Sequence, residues 1–205
     1  MILSLSKTLD IPDFSPIITD YKTNPFEYLC FDKFLSEKAS LSFLTWLENT
    51  SLWTLKQTDF YQQWEFKLTQ DTELPNEIRF LTSHKFITNL RTKLDGYFNI
   101  SHLNETRITV HKMLKNQEIE IHNDFLPDID AIRIITQFNR GWTSEQGGQL
   151  VFYNSYETDD IHRTINPAHN TAVAMKISNH SLHSVTPILA GDRYTLVYTL
   201  ENKLK

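Results

Sequence analysis

Between Thr106 and Leu200 the chain is one strand-like run after another. Eight short segments carry the β pattern: Thr106–Met113, Glu118–His122, Ile132–Phe138, Gly148–Asn154, Thr164–Ile165, Ala172–Ile177, Leu182–Val185 and Arg193–Leu200. Turn residues separate them, and four of the five glycines (Gly141, Gly147, Gly148 and Gly191) fall in this half. These glycines serve backbone geometry, because no Gly-x-Gly-x-x-Gly phosphate loop is present. Eight short strands with apolar faces predict a double-sheet jelly roll, a cupin-like double-stranded β-helix closed around a pocket.

The first half, residues 1–105, reads differently. Pro12, Pro16 and Pro25 space out an extended arm, with Pro16-Ile17-Ile18 placed to pair at a sheet edge. Ser36 is an N-cap for a helix whose apolar positions include Ala39, Phe43, Leu44 and Leu47. Strand patterns return between Ser51 and Leu68, where Trp64, Phe66 and Leu68 alternate with Gln63, Glu65 and Lys67. Ser83 caps a second helix with the stripe Phe86, Ile87, Leu90 and Leu94, and Gly96 is placed to end it as a C′ residue. Both stripes read as core-facing. The expected class is mostly β with flanking helices (α+β). No composition break divides the 205 residues, so a single domain is expected, with residues 1–105 as arm, strands and supporting helices and 106–200 as the jelly-roll core.

Composition limits the partners. A net charge of −5 and a pI near 5.9 do not suit double-stranded DNA. Cys30 is the only cysteine, which leaves no intramolecular disulfide or cysteine-rich zinc site and points to a reducing compartment. The opening Met1–Lys7 lacks the basic and apolar regions of a signal peptide, and no run is long enough to span a membrane. A cytoplasmic protein is expected, of a size that leaves its oligomeric state open.

Chemistry concentrates at Glu118-Ile119-Glu120-Ile121-His122-Asn123-Asp124. On an extended strand, residues two apart share a face, so His122 and Asp124 would project together while Asn123 turns away. An imidazole and a carboxylate make two thirds of a 2-His-1-carboxylate face, the donor set that suits non-haem Fe(II). The third ligand would be a histidine from a distant strand, and His180-Ser181-Leu182-His183 offers two candidates.

The features downstream come in a telling order: Gly147-Gly148 opening a strand with Leu150, then His183-Ser184-Val185-Thr186-Pro187, then Arg193 ten residues after His183. From Thr106 to Leu200 this resembles the 2-oxoglutarate- and Fe(II)-dependent oxygenases, most of all their prolyl 4-hydroxylase-type branch. The resemblance implies His122, Asp124 and His183 as iron ligands, with His183 preferred to His180 by its His-x-Val-x-Pro run and its distance to Arg193. It implies Arg193 as partner of the distal carboxylate of 2-oxoglutarate, with Thr195 on the same face adding a hydroxyl. Arg133, Gln137 and Asn139 share a face of their strand, where they either line the pocket or make structural hydrogen bonds, and Arg133 is expected among the cofactor-binding residues. N-terminal helices brace the outside of one sheet in this family. One departure stands out: the family's tyrosine nine residues before the first iron histidine, and the glycine after it, are replaced by Met113 and Asn116.

The implied activity is a dioxygenase using Fe(II), 2-oxoglutarate and O2, with ascorbate as a reductant, that hydroxylates an amino-acid side chain within a peptide or protein. A free amino acid or other small molecule is the alternative substrate. A non-catalytic cupin-like metal sensor or interaction module is the alternative from another class, and it would have no need of Arg193. The proline-bearing arm and the loop Phe125-Leu126-Pro127-Asp128 are expected to form the mouth of the pocket.

Overall fold

The computed structural model describes residues 11–203; the Met1–Lys7 segment lies outside them. Two strands open the chain, β1 (Ile17–Lys22) and β2 (Tyr28–Asp32), followed by α1 (Glu37–Asn49), β3 (Thr54–Gln57), β4 (Gln62–Lys67) and α2 (His84–Phe98). The remainder is β5 (Glu105–Met113), β6 (Ile119–His122), β7 (Ile129–Gln137), β8 (Leu150–Tyr153), β9 (Ile161–Ile165), β10 (Ala172–Lys176), β11 (His183–Val185) and β12 (Arg193–Lys203). All eight expected core strands are present, with ends shifted by up to three residues. An eight-stranded sheet in the order β1-β2-β10-β7-β12-β5-β4-β3 faces a four-stranded sheet in the order β6-β11-β8-β9. Every named pairing is antiparallel, and the architecture is the expected jelly roll with two supporting helices.

The alternation along β12 shows what positions the site. Tyr194, Leu196, Tyr198 and Leu200 point outward into a core shared with Phe43 and Leu47 of α1 and with Phe86, Leu90 and Leu94 of α2. Arg193, Thr195, Val197 and Thr199 alternate with them and face the other sheet. Between the sheets, Ala131, Ile135, Val173 and Val197 pack against Leu150 and Phe152. Burying one side chain of the size of Leu or Phe contributes about 1.5–3 kcal/mol, so these two layers account for the rigidity of the frame.

Both helices start where the sequence places their caps, with the Ser36 hydroxyl accepting from Ala39 N at 3.1 Å and the Ser83 hydroxyl from Phe86 N at 3.2 Å. The end of α2 differs from expectation. Gly96 lies inside the helix, which runs on to Phe98 and stops at Asn99 in the left-handed conformation (φ 52°). Phe98 is buried, and completing that turn is what buries it. β1 takes the expected edge position, pairing with β2. The two sheets are also tied together on the β4 side, where Tyr61 bridges Ile119 and Glu120 N donates to Phe60 O at 3.1 Å. None of the helices among the described residues is long and apolar enough to cross a membrane.

Candidate active site

His122 is the last residue of β6 and His183 the first of β11, and the two are register partners on adjacent strands. Their rings lie 4.2 Å apart between centroids. Asp124 reaches them by a route the strand pattern did not foresee. β6 has already ended, and Asp124 sits in the left-handed region with φ 57°, so no continuous strand face carries both residues. Asn123 makes the turn: its Oδ1 accepts from Phe125 N at 3.0 Å, its Nδ2 donates to Asn179 O at 3.3 Å, and its backbone oxygen accepts from the Ser181 hydroxyl at 2.9 Å. An aspartate tolerates that conformation better than most residues. The outcome is a compact donor set, with ligand-capable atoms of His122, Asp124 and His183 all within 4.8 Å of one another. His180 is exposed and is no part of this cluster.

The hydrogen bonds behind the imidazoles fix which nitrogen faces inward. His122 Nδ1 lies 2.8 Å from Glu120 O, and His183 Nδ1 lies 2.7 Å from Ser181 O. A carbonyl can only accept, so each Nδ1 carries the proton. Both Nε2 atoms then converge on Asp124 Oδ2, at 3.5 Å from His122 and 3.2 Å from His183. Each Nε2 therefore turns its lone pair toward the carboxylate oxygen, and a cation held among these three atoms would be bound by the chemistry of a 2-His-1-carboxylate face. Burial opposes the Asp124 charge, but the bonds from His122 and His183 and the Arg133 guanidinium outweigh it and hold the carboxyl well below the usual carboxylate range. Burial also pushes the His183 imidazole down, which favours its neutral, ligating form.

Arg193 lies deeper. It is 3% exposed, and its Nε donates to Gly148 O at 2.9 Å while Nη1 donates to Thr195 Oγ1 at 2.9 Å and contacts Met113 Sδ at 3.8 Å. Among the described residues no carboxylate forms an ion pair with it. Burial pushes its guanidinium down to about 10, so it remains cationic at neutral pH. A buried cation without an anion is costly, and a carboxylate ligand would meet that charge by a paired, charge-assisted contact. Gly148 is required for this arrangement: a Cβ there would come 2.9 Å from Arg193 Cδ and 2.7 Å from Ile188 Cδ1. Thr195 Oγ1 also lies 3.5 Å from Gln137 Oε1, so Gln137 sits within this polar group beside Met113. Asn139 has a different task, accepting from Tyr194 N at 2.6 Å and donating to Pro167 O at 3.0 Å, so it ties strands together and does not line the pocket.

Arg133 stands at the other end of the inner face. Its Nη1 is ion-paired to Asp124 Oδ2, the atom both imidazoles approach, and its Nε is buried without a partner. Two cavities, of about 600 and about 380 Å³, share Phe60, Arg107, His122, Asp124, Arg133 and Thr199 as lining. The larger has Phe125, Leu126 and Tyr156 at its rim, all exposed. The loop after Asp124 therefore takes the expected place at the mouth, whereas the proline-bearing arm does not. Among the described residues, the lining of the two cavities begins at Lys56, and Pro12 lies instead beside Lys33, Leu35 and His169. Phe60 and Tyr156 fill the role expected of the arm; their sequence neighbourhoods give no sign of it, because both are brought in by pairing between distant segments.

Residues 108–200 match the sequence model of the 2OG-Fe(II) oxygenase superfamily. Among curated protein sequences no relative matches. Solved structures with the same fold include a Pseudomonas putida prolyl-4-hydroxylase (14% identity, 87% of this chain and 92% of that one, TM-score 0.69). A Trichoplax adhaerens prolyl hydroxylase, solved with a peptide fragment of the hypoxia inducible factor oxygen degradation domain, aligns at 13% identity over 84% of this chain and 83% of its own (TM-score 0.67). The viral collagen prolyl hydroxylase of Paramecium Bursaria Chlorella virus-1 aligns at 13% identity over 86% and 96% (TM-score 0.61). The chain thus carries, over residues 108–200, a match to the 2OG-Fe(II) oxygenase superfamily, and it has the fold of the prolyl 4-hydroxylase structures. It is a 2-oxoglutarate-dependent dioxygenase, and its cofactor and cosubstrates are Fe(II), 2-oxoglutarate and O2.

Proposed function

We propose that His122, Asp124 and His183 hold the iron, that Arg193 and Thr195 hold the distal carboxylate of 2-oxoglutarate, and that the enzyme hydroxylates an amino-acid side chain within a peptide or protein. The observation that carries this reading is the position of the triad. Its His122 and Asp124 line both cavities, beneath an open rim of exposed Phe125, Leu126 and Tyr156, with His183 directly behind them. An extended chain can cross such a mouth and lower one side chain toward the metal. The Trichoplax adhaerens structure holds a peptide on the same fold, which supports a peptide here.

The bound iron supplies O2 activation coupled to decarboxylation of 2-oxoglutarate to succinate and CO2, with one oxygen atom passing to the substrate. The chain supplies the rest. Glu120 O and Ser181 O hold the two Nδ1 protons and so aim both Nε2 lone pairs at one point. Gly148 O and Thr195 Oγ1 hold the Arg193 fork in place. Gln137, bonded to Thr195, supplies a polar group near the position where Met113 replaces the family tyrosine. Ile121, Ile129, Ala131 and Ile177 give the larger cavity an apolar wall that limits water around the reacting carbon.

Incubation with Fe(II), 2-oxoglutarate, ascorbate and a diverse peptide pool should yield succinate together with a peptide carrying one added oxygen. Free amino acids turned over faster than any peptide would assign the site to small molecules instead.

A further inference from the structure

The register of the large sheet places three side chains in one row across its inner face. Thr199 of β12 is the direct partner of Arg107 on β5 and of Arg133 on β7. Directly paired residues point to the same side of a sheet, so two guanidinium-bearing side chains flank one threonine hydroxyl. Their Cα atoms are two strand spacings apart, about 10 Å, within the combined reach of two arginines. All three residues line both cavities, next to His122 and Asp124. Thr199 is 5% exposed, and its hydroxyl has no hydrogen-bond partner among the described residues.

The charges in the row are only partly met. Arg107 pairs with Glu201 at 3.2 Å on an exposed flank. Arg133 has no carboxylate but Asp124, and it binds the Oδ2 atom that the two imidazoles also approach. A metal ion held by the triad would share the Asp124 carboxylate with Arg133, which would leave the guanidinium room for a second anion. Its Nε is already a buried donor with nothing to donate to. That second anion is not the one Arg193 awaits. Arg133 is level with Thr199, six residues along β12 from Arg193, or about 20 Å of extended strand. The two arginines therefore stand far apart on the inner face of the sheet, Arg193 buried beside Gly148 and Thr195, and Arg133 on the wall of both cavities.

We propose that the Arg107–Thr199–Arg133 row binds a carboxylate carried by the substrate, close to the carbon that is hydroxylated. This rests on the reading of the cavity as the substrate site of a hydroxylase, and it narrows the substrate to acidic molecules. The carboxylate can come from an aspartate or glutamate next to the modified residue of a peptide, or from a free amino or dicarboxylic acid. In either case two guanidinium groups donate to its oxygens and the Thr199 hydroxyl donates a third hydrogen bond.

The test uses the full chain loaded with Mn(II) and 2-oxoglutarate, so that binding is read by calorimetry without turnover. One arm titrates N-acetylated, C-amidated peptides in matched Asp/Asn and Glu/Gln pairs; the other titrates free aspartate and glutamate against asparagine and glutamine. In at least one arm the acid should bind tenfold or more tightly than its amide, and the arm that shows it names the source. Arg133→Gln and Arg107→Gln should each cut that ratio to threefold or less, and Thr199→Val should lower it with both charges retained. Equal binding of acid and amide in both arms overturns the proposal. So does an Arg133→Gln variant whose acid preference persists while its affinity for 2-oxoglutarate falls, since Arg133 would then belong to the cosubstrate. The ratio is internal to each variant, so a partly misfolded protein does not mimic the expected result. Acid-selective binding without any hydroxylated product in the Fe(II) assay supports the row and removes the hydroxylase reading alone.

Discussion

Gly148 and Arg193 are 45 residues apart in sequence and share one volume: the glycine carbonyl accepts the arginine Nε at 2.9 Å, and a Cβ on the glycine would stand 2.9 Å from Arg193 Cδ. The glycine also has φ +70°, where a side chain is strained. Gly148→Ala should therefore disturb Arg193 without touching a metal ligand. The expected result is a KM for 2-oxoglutarate raised about tenfold or more, together with a loss of stability of about 1 kcal/mol or more. Arg193→Leu should raise the same constant by about ten- to a hundredfold, as the loss of a charge-assisted bond worth about 1.5–3 kcal/mol implies. Steady-state kinetics with varied 2-oxoglutarate checks both, and an unchanged constant in Arg193→Leu would remove the cosubstrate assignment.

The triad makes a prediction about two nearby histidines. His183→Ala should abolish 2-oxoglutarate turnover and cut Fe(II) affinity at least tenfold, while His180→Ala should alter neither, because His180 is exposed and away from the cluster. Circular dichroism should show both variants folded. Metal binding by titration reads the ligand assignment directly, and loss of binding in His180→Ala alone would reverse it.

His111 lines the smaller cavity, where burial pushes its imidazole down to about 4 despite Glu65 nearby. An unfolded histidine titrates near 6.5, so between about pH 4 and pH 6.5 the unfolded chain binds a proton that the folded chain refuses. The stability tied to His111 is thus complete above the unfolded value and is lost as pH falls through that window, by at most about 3 kcal/mol. Urea unfolding of the metal-free protein at about pH 7 and about pH 4.5 measures the difference. His111→Gln should reduce it, and an identical difference in wild type and variant would show that the proton uptake lies elsewhere.

Phe125 and Leu126 project from the turn that carries Asp124, at the rim of the larger cavity and 38% and 56% exposed. On the proposed reading, Phe125→Ala removes a substrate contact and no metal ligand. Peptide hydroxylation should fall about threefold to tenfold, as expected for about 1 kcal/mol of lost apolar contact, while decay of 2-oxoglutarate without substrate changes little. Equal loss of both activities would place Phe125 in support of the metal site. Cutting away the proline-bearing arm is a poor test of the mouth, since Phe14 belongs to the helix-side core and β1 pairs with β2.

The sequence determined by itself whatever depends on local pattern. Short strand-like runs between turn residues placed all eight core strands, and the side chain of each cap serine marked where its helix begins. His122, Asp124 and Arg193 were legible as residue types in a family-like order, and the His-x-Val-x-Pro run singled out His183, the histidine that the structure places in the cluster. Tertiary structure decided what depends on pairing between distant segments. Helix α2 passes Gly96 because Phe98 has a core to enter, a gain no propensity encodes. Asp124 meets His122 through a left-handed turn held by Asn179 and Ser181, more than fifty residues away, and not along a strand face. Phe60 and Tyr156 replace the N-terminal arm at the mouth for the same reason. The row of Arg107, Thr199 and Arg133 exists only because two strand pairings fall in one register. A shift of one residue in either would turn an arginine to the opposite face of the sheet.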